Sequence, residues 1–274
     1  MDKKNFELQI EEASKLIYKR RFDLFKICLG DDVRVISEPK TGSTTIQYII
    51  NSPWHLHYTS PKAIKSLLHI NKHNKNFVLA TLVNVFFSFC LKIKAKVLKK
   101  EVKIISTIRN PADRVASSFF FNLEYYLLRF RNKHPKSVTN NITDHELMIE
   151  YLLDEFVDAW AKVYEDFDYF DSQIKGLTGI DVYERGFNPQ KGFNIYKKDK
   201  FSLMVIDCYK IKELGNEIED FIGYEINTKT GNMNTSNKKW YYQKYKNIYN
   251  DSKKEEIINK LKESKYFNFF YNEN

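Results

Sequence analysis

A chain of 274 residues with 43% hydrophobic content is long enough to bury one large α/β core, which excludes a globally disordered or fibrous protein. The three cysteines, Cys28, Cys90 and Cys208, are far apart and lack metal or redox spacing, which excludes a disulfide scaffold and points to a reducing, cytoplasmic setting. A formal charge of +9, spread along the chain, fits either a solvated surface or a field that gathers polyanionic ligands and acidic substrates.

In chain order, the charged N-terminus lacks the apolar stretch of a signal peptide and leads into an amphipathic helix expected over 8–28, ended by Gly30. The β-rich run VRVIS (33–37) is followed by a polar turn and a helical TTIQYIINS. Trp54-His55-Leu56-His57 begins the next strand. The most apolar run, Phe77–Leu91, is interrupted by Asn84 and Ser88 and is short for a membrane span. It is expected as a buried helix, with interfacial membrane contact as the alternative. KIISTI (103–108) repeats the strand-loop-helix grammar, with a long aromatic helix from Ala112 to about Arg131. Thr143 and Glu146 form a capping-box pattern for a helix over 144–167. SLMVID (202–207) reads as a strand, 211–222 as a helix closed by Gly223, and 252–264 as the last helix. This alternation predicts one domain, a three-layer α/β sandwich with a central parallel sheet and a core over about 33–271.

Ligands of such sheets bind beyond the carboxyl ends of the strands, where two candidate anion loops fall. The first is Glu38-Pro39-Lys40-Thr41-Gly42-Ser43-Thr44-Thr45. Gly42 permits a tight turn and close approach to an oxyanion, the following amides open a helix, Ser43, Thr44 and Thr45 add hydroxyls, and Lys40 adds a positive charge. With one Gly and the Lys before it, the loop departs from the Walker A pattern. An ordinary capped turn has the same composition. The second loop opens with Arg109, Asn110 as helix cap and Pro111 in the first turn. Ser117 lies seven residues beyond Asn110, on the face carrying the cap, where its hydroxyl can join the Arg109 fork on one phosphate. The alternatives are a carboxylate partner for Arg109 and a helix back-bond for Ser117. Arg114 is expected in a structural ion pair.

Two such loops about 70 residues apart make the chain resemble the PAPS-dependent sulfotransferase superfamily, PAPS being 3′-phosphoadenosine 5′-phosphosulfate. The resemblance implies a P-loop NTPase-like sulfotransferase fold. It assigns Lys40, Thr41, Gly42, Ser43, Thr44 and Thr45 to the 5′-phosphosulfate, and Arg109 and Ser117 to the 3′-phosphate. Further on, GNMNTSNKKWYYQKYK (231–246) is similar to the Asn-Lys-Trp-Tyr-Ser signature of a capsular polysaccharide synthesis family regarded as sulfotransferase-like. GIDVYERGFNPQKGFNIY (179–196) and SKYFNFFY (264–271) resemble that family's middle and end. The chain departs from the signature by a second Lys before Trp240 and by Tyr242 in place of Ser.

On the acceptor side, His55 and His57, two apart in an extended segment, point to one side. The pattern resembles uronyl 2-O-sulfotransferases, which makes His57 the expected base and His55 its support. Glu38 is the rival base. His69 and His73 are expected on an exposed helix face. Trp240 and the neighbouring Lys238 and Lys239 are expected over adenine and 3′-phosphate, with core packing as the alternative for Trp240. The expected reaction is O-sulfation of a carbohydrate hydroxyl, with a capsular or surface glycan, neutral or acidic, as the acceptor, releasing PAP (adenosine 3′,5′-bisphosphate) without metal or nucleic acid. An ATP-dependent phosphotransferase and a noncatalytic polyanion- or nucleic-acid-binding protein are the alternatives.

Overall fold

The computed structural model describes residues 30, 33–52, 55–57, 59–60, 75–133, 142–166, 169–226 and 239–272, with the side chains of 75–82, 142–144 and 162–166 excepted. The expected helix over 8–28, Cys28, Trp54, His69, His73 and Lys238 lie outside these residues. In chain order the elements are β1 (Arg34–Ile36), α1 (Ser43–Ile49), β2 (His55–Leu56), α2 (Lys75–Lys96), β3 (Val102–Ile108), α3 (Pro111–Phe121), α4 (Leu123–Lys133) and α5 (Ile142–Asp166). A π-helical turn (Phe170–Lys175) runs into α6 (Gly176–Thr178), followed by β4 (Phe193–Lys198), β5 (Phe201–Asp207), α7 (Gly215–Ile222), α8 (Tyr242–Ile248), α9 (Asp251–Leu261) and α10 (Lys265–Phe270).

The chain divides into two compact units, Met1–Ile108 with Tyr169–Gly231, and Arg109–Asp168 with Asn232–Asn274. The first holds a five-stranded sheet of order β2-β1-β3-β5-β4. β2, β1, β3 and β5 run parallel, and β4 pairs antiparallel with β5. The expected all-parallel sheet is thus corrected at one edge. β4 mixes apolar and polar residues without a regular period, buries only Tyr196, and joins β5 through Asp199 and Lys200, a hairpin hidden from a search for long apolar runs. β3 and β5 are buried almost throughout, as strands covered on both faces must be. On one face Val35, Ile105, Met204 and Ile206 pack with Ile46, Ile49, Ile218 and Phe221. Each such side chain removed from water contributes about 1.5–3 kcal/mol.

The chain passes outward from β1 to β2, then returns across β1 to β3. The reversal places a switch point between β1 and β3, where doubly wound sheets bind their ligands. The apolar run 77–91 lies in α2, which buries Val83, Phe87, Cys90 and Leu91 and exposes Phe89. No helix among the described residues is long and apolar enough to cross a membrane.

In the second unit, the expected continuous helix from Ala112 is two helices. Asn122 breaks it, closing α3 through its amide to the Phe119 carbonyl while its side chain donates to the Ser118 carbonyl. α5 begins at Ile142, so Thr143 falls inside its first turn, and Glu146 pairs with Lys244 at 3.3 Å. The expected helix over 211–222 starts only at Gly215 and ends, as expected, at Gly223. The core here gathers Val115, Phe119, Phe120, Leu153, Val157, Tyr241 and Ile257.

Candidate functional site

Four parallel strands of the first unit end in the same direction, and polar residues collect where they end. Ser37 directly follows β1, and its hydroxyl accepts from the Thr107 amide at 2.7 Å and the Thr107 hydroxyl at 3.1 Å. The Thr41 hydroxyl donates to the Glu38 carbonyl at 2.7 Å and lies 2.9 Å from the Thr107 hydroxyl. These bonds tie the loop after β1 to the end of β3. Thr41, expected as a ligand-binding hydroxyl, is fully buried, and its side chain is used to hold the loop's shape.

Two residues of this loop are left-handed, Lys40 at φ 70° and Gly42 at φ 84°. For Gly42 the conformation costs little. A Cβ added there would come within 3.1 Å of Cys208 Cβ and 3.5 Å of Ile211 Cδ1. Gly42→Ala is therefore expected to lower stability by about 1–3 kcal/mol in a urea melt, through strain and crowding against the end of β5. Lys40 carries a Cβ in a region costing about 1–2 kcal/mol, a strain that tends to persist where surroundings and function require it. The first bonds of α1 run from the Thr45 and Ile46 amides to the Gly42 carbonyl, leaving the Ser43 and Thr44 amides ahead of the ladder. Thr44 and Thr45 are half-buried, whereas Ser43 is buried.

His57 follows β2, next to Ser37, because β1 and β2 pair with Val35 opposite His55 and Ile36 opposite Leu56. Its Nδ1 lies 2.7 Å from the Ser37 carbonyl oxygen. A carbonyl only accepts, so Nδ1 carries the proton and the neutral ring keeps its lone pair on Nε2. Burial holds the His57 pKa below the ordinary histidine value; the bond to Ser37 opposes this and the Lys40 charge adds to it. His55 meets His57 edge to face, with ring centroids 4.2 Å apart, as expected for residues on one side of an extended segment. Burial, then repulsion from His57 whenever that ring is protonated, brings His55 down to about 3. Among the described residues its Nε2 is buried without a hydrogen-bond partner. Since the folded pKa lies below the unfolded one, protons favour the unfolded chain. The His55 contribution is complete above about 6.5 and is lost as pH falls toward about 3. His55→Gln should make the fall of melting temperature across that window shallower.

The segment leaving His57 is fixed from an unanticipated place. Gln173, fully buried in the π-helical turn, accepts through Oε1 from the amides of Thr59 at 2.7 Å and Ser60 at 2.9 Å. Its own carbonyl accepts from the Thr59 hydroxyl at 2.8 Å. π-helical turns concentrate at functional sites, but nothing in the local sequence marks this one. Ser37 and Thr107 were more legible, as hydroxyls at the carboxyl ends of largely apolar strands.

In the second unit, Asn110 caps α3 as expected, its side chain accepting from the Ala112 amide at 3.0 Å, with Pro111 opening the helix. Ser117 is half-buried, and among the described residues its hydroxyl has no hydrogen-bond partner; the expected alternative of a helix back-bond does not occur. The buried guanidinium of Arg114 lies over the Trp160 ring, 4.8 Å from the centroid. Trp240 is 56% exposed, which removes core packing as its role; it meets Tyr241 edge-on at 5.2 Å. Tyr241 is the buried residue of the pair, its hydroxyl donating to the Phe120 carbonyl. Lys239 donates to the Phe121 carbonyl at 3.2 Å and lies over the Phe121 and Tyr241 rings.

Residues 141–272 match the model of a family described as "Putative capsular polysaccharide synthesis protein", NKWYS. The match covers just under half of the chain and contains Gln173, Lys239, Trp240 and Tyr241. Lys40–Thr45, His57, Arg109 and Ser117 lie ahead of it. No curated protein and no solved structure matches the chain. Among the described residues, no group of three His, Cys, Asp or Glu side chains is placed to hold a metal ion.

Proposed function

We propose that this chain is a PAPS-dependent O-sulfotransferase whose acceptor is a hydroxyl of a glycan, in the assembly of a capsular or other surface polysaccharide. The observation that carries the catalytic half is the His57 tautomer: Nδ1–H bound to the Ser37 carbonyl leaves Nε2 as the basic nitrogen. Burial and the Lys40 charge keep that nitrogen unprotonated at neutral pH. The family match supports the glycan class of the acceptor.

In the proposed reaction Nε2 of His57 takes the acceptor hydroxyl proton as the acceptor oxygen bonds to sulfur. The bond from sulfur to the 5′-phosphate oxygen breaks, and PAP departs with the electron pair. The imidazolium then shares its Nδ1 proton with Ser37. Lys40 and the amides of Ser43 and Thr44 offset charge on the departing phosphate, with hydroxyls of Thr44 and Thr45 as further donors. Arg109 and Ser117 take the 3′-phosphate, an assignment that rests on their sequence spacing and on the unpartnered Ser117 hydroxyl. This division of labour needs no Walker A lysine, in keeping with a loop that lacks one.

The test is transfer of labelled sulfuryl from PAPS to a panel of capsular oligosaccharides, with PAP release followed in parallel. Acceptor-dependent PAP release is expected. Release no greater than that of a Lys40→Ala, His57→Ala double variant would overturn the proposal.

A further inference from the structure

We infer that Tyr266 is a positioning residue for Arg109, so that the terminal helix α10 forms part of the apparatus that recognises the 3′-phosphate; this rests on the function proposed above. Arg109 is the first residue of the second unit, and Tyr266 belongs to the same unit. The Arg109 amide donates to the Tyr266 hydroxyl at 3.1 Å, and that hydroxyl donates to the Arg109 carbonyl at 3.2 Å. One phenol therefore spans both peptide groups of one residue. Both soft torsions of Arg109 are bounded by a side chain that is itself only 3% exposed.

The phenol is in turn fixed from behind. Ser264 caps α10 by accepting from the Phe267 amide at 3.2 Å, and the Tyr266 ring packs against Phe270 with centroids 5.0 Å apart. A core tyrosine needs a single acceptor for its hydroxyl; Tyr266 instead closes a two-way bridge on the residue ahead of the Asn110 cap. An arginine meeting a phosphate through its planar fork must have its backbone placed, because a flexible stem lets the guanidinium sample orientations that lose the paired bonds. Tyr266 removes that freedom without touching the ligand.

The experiment is calorimetric titration of the full chain and of Tyr266→Phe with PAP and 5′-AMP, the two differing only in the 3′-phosphate. The ring is retained in the variant, so its packing persists. The ratio of PAP to AMP affinity is expected to fall about tenfold, with AMP affinity unchanged. In an Arg109→Ala background Tyr266→Phe should have no further effect on the ratio, which a merely structural role does not predict. If Tyr266→Phe does not fold, Ser264→Ala, which loosens the start of α10, should lower the ratio in the same direction. An unchanged ratio in the folded variant, or a further fall in the Arg109→Ala background, overturns the inference. Failure of the unaltered chain to prefer PAP overturns the proposed function instead.

Discussion

His57→Ala is expected to bind PAP with nearly unchanged affinity and to lose transfer by about 10²- to 10⁴-fold, the usual contribution of a placed general base. The split follows from position. His57 leans on the Ser37 carbonyl through Nδ1, whereas the loop is braced separately through Thr41, Ser37 and Thr107, so its removal leaves the brace in place. pH supplies a second check. Burial lowers the His57 pKa, so the ring stays neutral through pH 7, and the rate should fall only on the acid side of the ordinary histidine range. Full activity in His57→Ala would remove His57 from its role and leave Glu38, buried at the root of the loop, as the remaining candidate. A steady-state assay with saturating PAPS, paired with calorimetry on PAP, separates these outcomes.

Lys40 presents the opposite combination, a residue whose removal should improve the fold where it harms the chemistry. At φ 70° a lysine is strained and a glycine is not. Lys40→Gly should be about 1 kcal/mol more stable than Lys40→Ala in parallel urea melts. Both variants should lose about 100-fold in transfer, because each lacks the charge that stabilises the leaving phosphate. The Lys40 charge is also one of the influences lowering His57, so in both variants the acid limb of the rate profile should move to higher pH. Equal stability of the two variants would mean that the left-handed backbone is not a constraint on the loop. Retained activity would mean that Lys40 does not meet the donor.

The elements that proved legible were those whose signals are local. VRVIS, KIISTI and SLMVID became β1, β3 and β5 because runs of branched apolar residues covered on both faces have few other solutions. Asn110-Pro111 and Gly223 acted as the start and stop signals they resemble, one accepting the Ala112 amide and the other taking the left-handed turn after α7. The less legible features lack a distinctive local pattern. β4 is an edge strand specified by β5, and nothing inside FNIYKK announces it. The break at Asn122 was masked by a continuous aromatic run.

The candidate site divides in the same way. Gly42 and Lys40 could be picked from the turn chemistry, and the ring contact of His55 with His57 from their spacing of two. That Thr41 is spent on the Glu38 carbonyl and on Thr107, 66 positions away, could not. Nor could the hold of Gln173 on Thr59 and Ser60, or of Tyr266 on Arg109, since each bond joins positions more than 100 residues apart. Trp240 illustrates the reverse case. A conspicuous tryptophan in a signature proved exposed, while the quieter Tyr241 beside it is the buried anchor.

Calorimetric titration of the unaltered chain with PAP, 5′-AMP and ATP–Mg²⁺ tests most directly whether PAPS is the donor. PAP is expected to bind at least about tenfold more tightly than either, because it alone of the three carries a 3′-phosphate for charge-assisted bonds. Equal affinity for PAP and AMP, or a preference for ATP–Mg²⁺, would contradict PAPS as the donor.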